Sequence, residues 1–157
     1  MATEQRIAAL TLDERSVVRR NADVEHERAV AIFDLLEENS FVPVSGHGGP
    51  FHLHLGIEDN RLALDLRRVD GATLERILLP LAPFRGIVKD YFLICESYYS
   101  AIKRAGPAQI EAIDMGRRSL HNEGSELLRE RLAEKVVVDL NTARRLFTLL
   151  CVLHIRG

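Results

Sequence analysis

Only two cysteines stand in the 157 residues, which excludes a framework held together by disulfides. Cys95 and Cys151 both sit inside apolar helical patterns, where a free thiol behaves as a small buried hydrophobe. A surplus of one charge is also missing. With 21 basic and 23 acidic residues the formal net charge is -2, and a general nucleic-acid binder would need a strongly basic footprint. No apolar run approaches the roughly 20 residues that cross a bilayer. The opening MATEQRIAAL carries neither a basic leader with an apolar core nor a small-residue cleavage site, so a cytoplasmic protein with reduced thiols is expected. Repeats, low-complexity stretches and linkers are absent too, which predicts one domain over residues 1–157.

The most apolar periodic stretch runs from Pro83 to Ala105. Phe84, Ile87, Val88, Tyr91, Ile94, Cys95, Tyr98 and Ile102 recur at helical spacing, and Phe92 and Tyr99 widen the stripe to about half the circumference. That pattern predicts a deeply buried central helix around which the rest packs. Pro83 suits its first position, and Ala105-Gly106-Pro107 stops it, with Gly106 free to form a left-handed cap.

Before this helix the period changes from 3.6 to 2. Arg6 to Leu12 is a short β-prone run, and Asp13 to Asn21 is polar with a Val17-Val18 pair, read as a turn or short helix. Asp23 is placed as the cap of a helix reaching Asn39, followed by an extended Phe41–Val44 and a glycine-rich loop, Ser45 to Pro50. Phe51–Ile57, Arg61–Arg68 and Thr73–Leu79 then alternate apolar and polar residues, joined at Asp59-Asn60 and Asp70-Gly71 as two-residue hairpin turns. A sheet with one apolar face requires a helical cover. The expected fold is therefore α+β: an antiparallel β meander with one face covered by a long central helix and a C-terminal helical layer.

After the central helix, Pro107–His121 and Gly124–Lys135 read as two helices divided at His121-Asn122-Glu123-Gly124. Val136–Val138 is β-branched, and Asp139 or Asn141 caps a last helix through His154. Leu146, Phe147, Leu149, Leu150, Cys151, Val152 and Leu153 make that helix apolar almost all round, so either the central helix or a second copy of the chain must cover it. A homodimer is accordingly expected as one solution.

Three constellations carry chemistry. His52 and His54 share one strand face near His47, and an Asp59-Asn60 turn sets His54 opposite Asp65, His52 opposite Arg67, and Arg76 beside Asp65. A carboxylate beside an imidazole can fix its tautomer for acid–base work, and two imidazoles can share a metal when a third ligand converges. Ordinary cross-strand charge pairs are the stronger reading, and no metal or cofactor is assigned. The second set is the arginine pairs Arg19-Arg20, Arg67-Arg68, Arg117-Arg118 and Arg144-Arg145, whose guanidinium forks suit a phosphate or carboxylate. Around Arg117 and Arg118 lie Glu111, Asp114, Glu123 and Glu126, so intrahelical ion pairs are the plainer expectation. The third comprises Asp90, Glu96 and Tyr98-Tyr99 with His121 and Glu123 at the later break, the two helix carboxylates read as rim residues and the tyrosines as core residues.

The runs PFRGIVKDYFLICESYYSAI, IEAIDMGRRSLHNEGSELL, TARRLFTLLCVLHIRG and VEHERAVAIFDLLEEN resemble an uncharacterised protein family found mainly in alphaproteobacteria, over nearly the whole chain. The resemblance implies a bacterial cytosolic origin and carries no activity, ligand or catalytic residue. Two functional readings follow. The first is a non-enzymatic binding or regulatory module with an unknown protein partner or small ligand. The second is a small hydrolase or ligand-binding enzyme with an anion or metal site near the GHGGP loop, using His52, His54 and Asp65.

Overall fold

Alternation of apolar and polar residues builds an α+β fold in the computed structural model, which describes residues 4–16 and 22–154. The strands are β1 (Ile7–Leu12), β2 (Phe41–Pro43), β3 (Phe51–Glu58), β4 (Arg61–Arg68), β5 (Thr73–Pro80) and β6 (Val136–Val138). The helices are α1 (Ala22–Glu37), α2 (Arg85–Arg104), α3 (Pro107–Leu132) and α4 (Leu140–His154). Val17-Val18 and Arg19-Arg20 lie outside the described residues.

β3, β4 and β5 form the expected antiparallel meander, and the register is the expected one: His54 faces Asp65, His52 faces Arg67, Glu58 faces Arg61 and Asp65 faces Arg76. Asp59 and Asn60 both take positive φ, as a two-residue turn whose twist matches the strands demands. The second turn differs from expectation. The Arg68 amide donates to Ala72 O at 2.8 Å and Gly71 alone is left-handed, so three residues close this hairpin and the register shifts beside Arg67. The sheet is also mixed, because β1 lies parallel to β3 at one edge in the order β1-β3-β4-β5. α1 lies in the crossover between them, and a shift between Ile7 and Ala9 lets both Ile7 and Leu10 reach the core face despite their odd spacing.

Asn39 holds this crossover. Its side chain accepts the Ile7 amide at 2.7 Å, donates to Ile7 O at 2.9 Å and caps α1 through Leu35 O at 2.8 Å. One amide thus acts as a strand partner and a helix stop. Arg6 reaches another carbonyl of the same helix end, Leu36 O, at 3.0 Å. At the other end Asp23 is inside the first turn and not the cap, since α1 already begins at Ala22; an acid there still suits the helix dipole.

The most buried helix is α4, where the central role was expected for α2. Leu146, Phe147, Leu149, Leu150, Cys151, Val152 and Leu153 are all buried inside one chain, between α1, α3 and the sheet. No second copy is needed to cover α4. In α2 only Val88, Tyr91 and Ala101 are buried, while Leu93 and Ile102 are half exposed, because this helix packs mainly along α3 at the margin of the core. Pro83 belongs to a preceding 3-10 turn, Ala82–Phe84, and the break before α3 uses an extended Ala105 and Gly106 (φ -77°) in place of a left-handed cap.

The two helices expected after the break are one continuous α3 of 26 residues. Gly124 does not divide it. Any Cβ there would overlap the Phe147 ring, so the glycine lets α4 approach, and Gly116 plays the same part under Ile94 of α2, whose Cδ1 would lie 2.8 Å from a Cβ. Asp139, rather than Asn141, caps α4 by accepting the Thr142 amide at 2.9 Å. β2 and β6 form a separate antiparallel ribbon with Phe41, Pro43, Val136 and Val138 turned inward. No described helix is long and apolar enough to cross a membrane.

Two outcomes check this packing. Gly124→Ala gains about 1 kcal/mol of helix propensity but forces Phe147 to move, and a net loss of about 1–3 kcal/mol in urea unfolding is expected. Gly86→Ala, with nothing within 4 Å of its Cβ, should be neutral or stabilising, and equal behaviour of the two variants would refute the role given to Gly124. Leu149→Glu places a carboxylate at a fully buried position and is expected to unfold the chain at a cost of several kcal/mol by circular dichroism. A folded Leu149→Glu monomer would instead put that residue at an interface between copies.

Candidate functional site

The six residues singled out from the sequence fall in two places. His52, His54, Asp65 and Arg76 stand on the solvent face of the sheet, and His54, Asp65 and Arg76 form one cross-strand row. β1 extends the row with Thr11, which pairs with His54; its hydroxyl lies 2.7 Å from His54 Nδ1 and 3.1 Å from His52 Nε2. Asp65 is engaged by Arg76 at 3.0 Å, and Arg76 also holds Glu58. His47 stays apart and pairs with Glu75 at 3.8 Å, on the opposite face of β5 from Arg76. Partial burial first, then Arg67 and His54, hold the His52 imidazole below its ordinary value. Among the described residues no group of three or more His, Cys, Asp or Glu side chains is placed to hold a metal ion.

Arg117 and Arg118 lie elsewhere, at a cleft walled by all four helices. Each helix contributes one stripe at helical spacing: Glu27, Ala31 and Asp34 from α1, Tyr91, Cys95 and Tyr99 from α2, Arg117 and His121 from α3, and Arg144, Thr148 and Cys151 from α4. The cleft has two compartments. One, of about 330 Å³, is lined by Arg117, Arg118, Arg144 and Arg145 against only two carboxylates, Glu27 and Asp34. The other, of about 260 Å³, is predominantly apolar and lined by Val24, Phe92, Cys95, Tyr99, Cys151 and Val152, together with the exposed Asp23 and Glu96. Glu27, Tyr91 and Thr148 border both. The half-burial of the α2 stripe now has a cause, since Phe92, Cys95 and Tyr99 face this second compartment instead of a neighbouring helix.

Beside the cationic compartment, and outside its lining, Asp114 is shared between Arg117, at 2.6 Å, and Arg118, at 3.2 Å. Hydrogen bonding to Arg117 holds that carboxyl below its usual range. Arg117 also lies over the Tyr98 ring, 4.4 Å from its centroid, which orients the guanidinium plane. Arg145 stands 3.9 Å from Asp34, and Arg144 has no carboxylate partner among the described residues.

His121 is the floor of this compartment. Its Nε2 is 2.8 Å from Thr148 Oγ1, and that hydroxyl donates to Arg144 O at 3.2 Å. With the hydroxyl proton committed, Nε2 carries the imidazole proton and Nδ1 keeps a lone pair. The ring packs edge-on to Phe147, with centroids 5.3 Å apart, and against Tyr91 at 5.3 Å. Burial, reinforced by Arg144, Arg145 and Arg117, pulls its pKa to about 4, so at neutral pH it is an uncharged donor. The thiols are equally inert: burial pushes Cys95 up to about 11 and Cys151 well above its ordinary value. Tyr91 and Tyr99 are raised by burial too, and Tyr99 donates to Glu27 Oε1 at 2.9 Å.

Sequence reasoning found the arginine pairs but not their meeting. The one local signal is that Arg117 precedes His121, and Arg144 precedes Thr148, by four residues, so each arginine shares a helix face with a polar residue. That the two faces confront each other depends on the α3–α4 crossing at Gly124.

The low pKa of His121 gives a pH signature. As pH falls below about 6.5 the unfolded chain takes up this proton while the folded one refuses it, so stability drops progressively until about pH 4. The contribution is on the order of 3 kcal/mol, at about 1.4 kcal/mol per pKa unit. His121→Gln is expected to flatten this part of the stability–pH curve in urea titrations; identical slopes for the two proteins would show that His121 titrates normally.

Across residues 4–156 the chain matches the pattern of the uncharacterised protein family UPF0262. It is 61% identical over 157 residues to a UPF0262 protein of Paramagnetospirillum magneticum, covering 100% of both chains. A UPF0262 protein of Azorhizobium caulinodans is 63% identical over 154 residues, 97% of this chain and 95% of that one. One from Rhodopseudomonas palustris is 60% identical over 155 residues, 99% of this chain and 95% of the relative. No solved structure matches the chain.

Proposed function

The chain belongs to the uncharacterised protein family UPF0262, and we propose that it is a single-domain, non-enzymatic binding module of the bacterial cytoplasm that holds a small anionic ligand in the four-helix cleft. The observation that carries this is the convergence of Arg117-Arg118 and Arg144-Arg145, from different helices, on one compartment lined by two carboxylates, with Asp114 shared by the first pair beside it. Guanidinium forks in a partly desolvated cleft bind carboxylate or phosphate through charge-assisted hydrogen bonds. His121 contributes an uncharged, oriented ring and Arg144 a guanidinium with no ion-pair partner among the described residues.

Binding is favoured over catalysis because the groups in the cleft are poorly suited to attack a bond. Both thiols stay protonated, both cleft tyrosines are raised, and His121 Nε2 is spent on Thr148. On the sheet face, Asp65 is engaged by Arg76 and makes no hydrogen bond to His54, so His52, His54, Asp65 and Arg76 receive no ligand in this proposal. Two free cysteines fit a reducing compartment. A second copy of the chain is not part of the proposal, since α4, the reason for expecting one, is covered from within.

The test is thermal unfolding at constant ionic strength with inorganic phosphate or acetate in place of chloride. Ligand at 100 times its Kd stabilises by about 2.7 kcal/mol, so Tm should rise by several degrees with either anion. Arg144→Gln, which breaks no ion pair to a described residue, is expected to keep the fold and weaken binding about tenfold or more, the worth of one charged hydrogen bond. Equal response of Arg144→Gln and the unaltered protein would exclude the cleft as the anion site.

A further inference from the structure

Resting on that reading, we infer that the ligand is an amphipathic anion, an acyl chain with a carboxylate or phosphate head, whose apolar body occupies the second compartment. The two compartments share Glu27, Tyr91 and Thr148 in their linings and so adjoin, and a ligand anchored on Arg144 would reach the apolar space by passing Tyr91. A small inorganic ion would leave that space of about 260 Å³ unused. Val24, Phe92 and Val152 and the two weakly hydrogen-bonding thiols give it a mainly apolar wall, while its carboxylates, the exposed Asp23 and Glu96 with Glu27, repel an anionic head.

Charge placement orients the occupant. The Glu27 carboxylate, fixed by the Tyr99 hydroxyl at 2.9 Å, stands at the border and repels an anionic head from the apolar side. The four arginines attract it on the other. A neutral hydrocarbon lacks the anchor, and a short anion lacks the body. The pairing of a cationic wall with an adjoining apolar pocket matches one chemistry, that of an acyl anion.

Calorimetric titration of the intact chain with acetate, butyrate, hexanoate, octanoate and decanoate tests this, with octanol as the headless probe and octyl phosphate to distinguish the heads. Affinity is expected to climb about fourfold per methylene until the compartment is full and then level off, with octanol at least tenfold weaker than octanoate. Cys95→Leu narrows the compartment without touching an arginine and should stop the gain at a shorter chain. The series on unaltered protein decides the matter even if that variant fails to fold. Acetate binding with no gain along the series would overturn the inference and leave the anion site standing. Octanol binding as tightly as octanoate would also overturn it. No response to acetate, phosphate or any acyl anion would remove the underlying reading as well.

Discussion

The seating of Phe147 on Gly124 is the contact on which the rest depends. Phe147 is fully buried and projects from α4 onto the one place in the second half of α3 where a missing side chain admits a ring. There it touches Tyr91, at 5.9 Å between centroids, and His121 at 5.3 Å. One aromatic group therefore joins three helices. Burial of such a side chain is worth about 1.5–3 kcal/mol, and aromatic pairs in tilted geometry add some tenths to about 1.5 kcal/mol. It also sets how close α3 and α4 come, and hence how close their arginine pairs lie.

That closeness has an electrostatic cost. Two arginine pairs on facing helices repel, and the structure offsets this with Asp114, Asp34 and the Tyr98 ring, while keeping His121 uncharged. The balance is incomplete on the side where Arg144 stands. An excess of positive charge next to an unfilled apolar space lowers local stability, and natural binding sites are commonly made from such regions. The margin helix α2 bears the same mark, since its apolar stripe is spent on lining a cavity and on half-exposed positions rather than on packing.

The sheet follows a different logic, because local turns govern most of it. Asp59-Asn60 fixes the β3–β4 register, and from it the positions of His54, Asp65 and Arg76 in one row could be read off the sequence. Thr11 could not. It enters the row through a parallel pairing separated by α1, and the shift near Ala8 that rephases β1 leaves no trace in a pattern of alternation. Asn39 shows the same limit: its place after the helix marked a stop, but its bonds to Ile7 belong to the assembled crossover.

What the sequence by itself determined is whatever repeats within one element: the α+β class, the meander and its β3–β4 register, the β-branched run at Val136–Val138, and an α4 apolar on nearly every side. Periodicity and turn chemistry act between residues a few positions apart, so they are legible without the partner element. Only the tertiary structure decided which helix is central, that α3 runs unbroken through Gly124, that α4 is covered by its own chain, and that two arginine pairs meet beside His121. A glycine reads identically whether it ends a helix or admits a ring from elsewhere, and an apolar stripe reads identically whether it meets another helix or a cavity. The difference lies in what stands opposite, and that is a long-range property of the packed core.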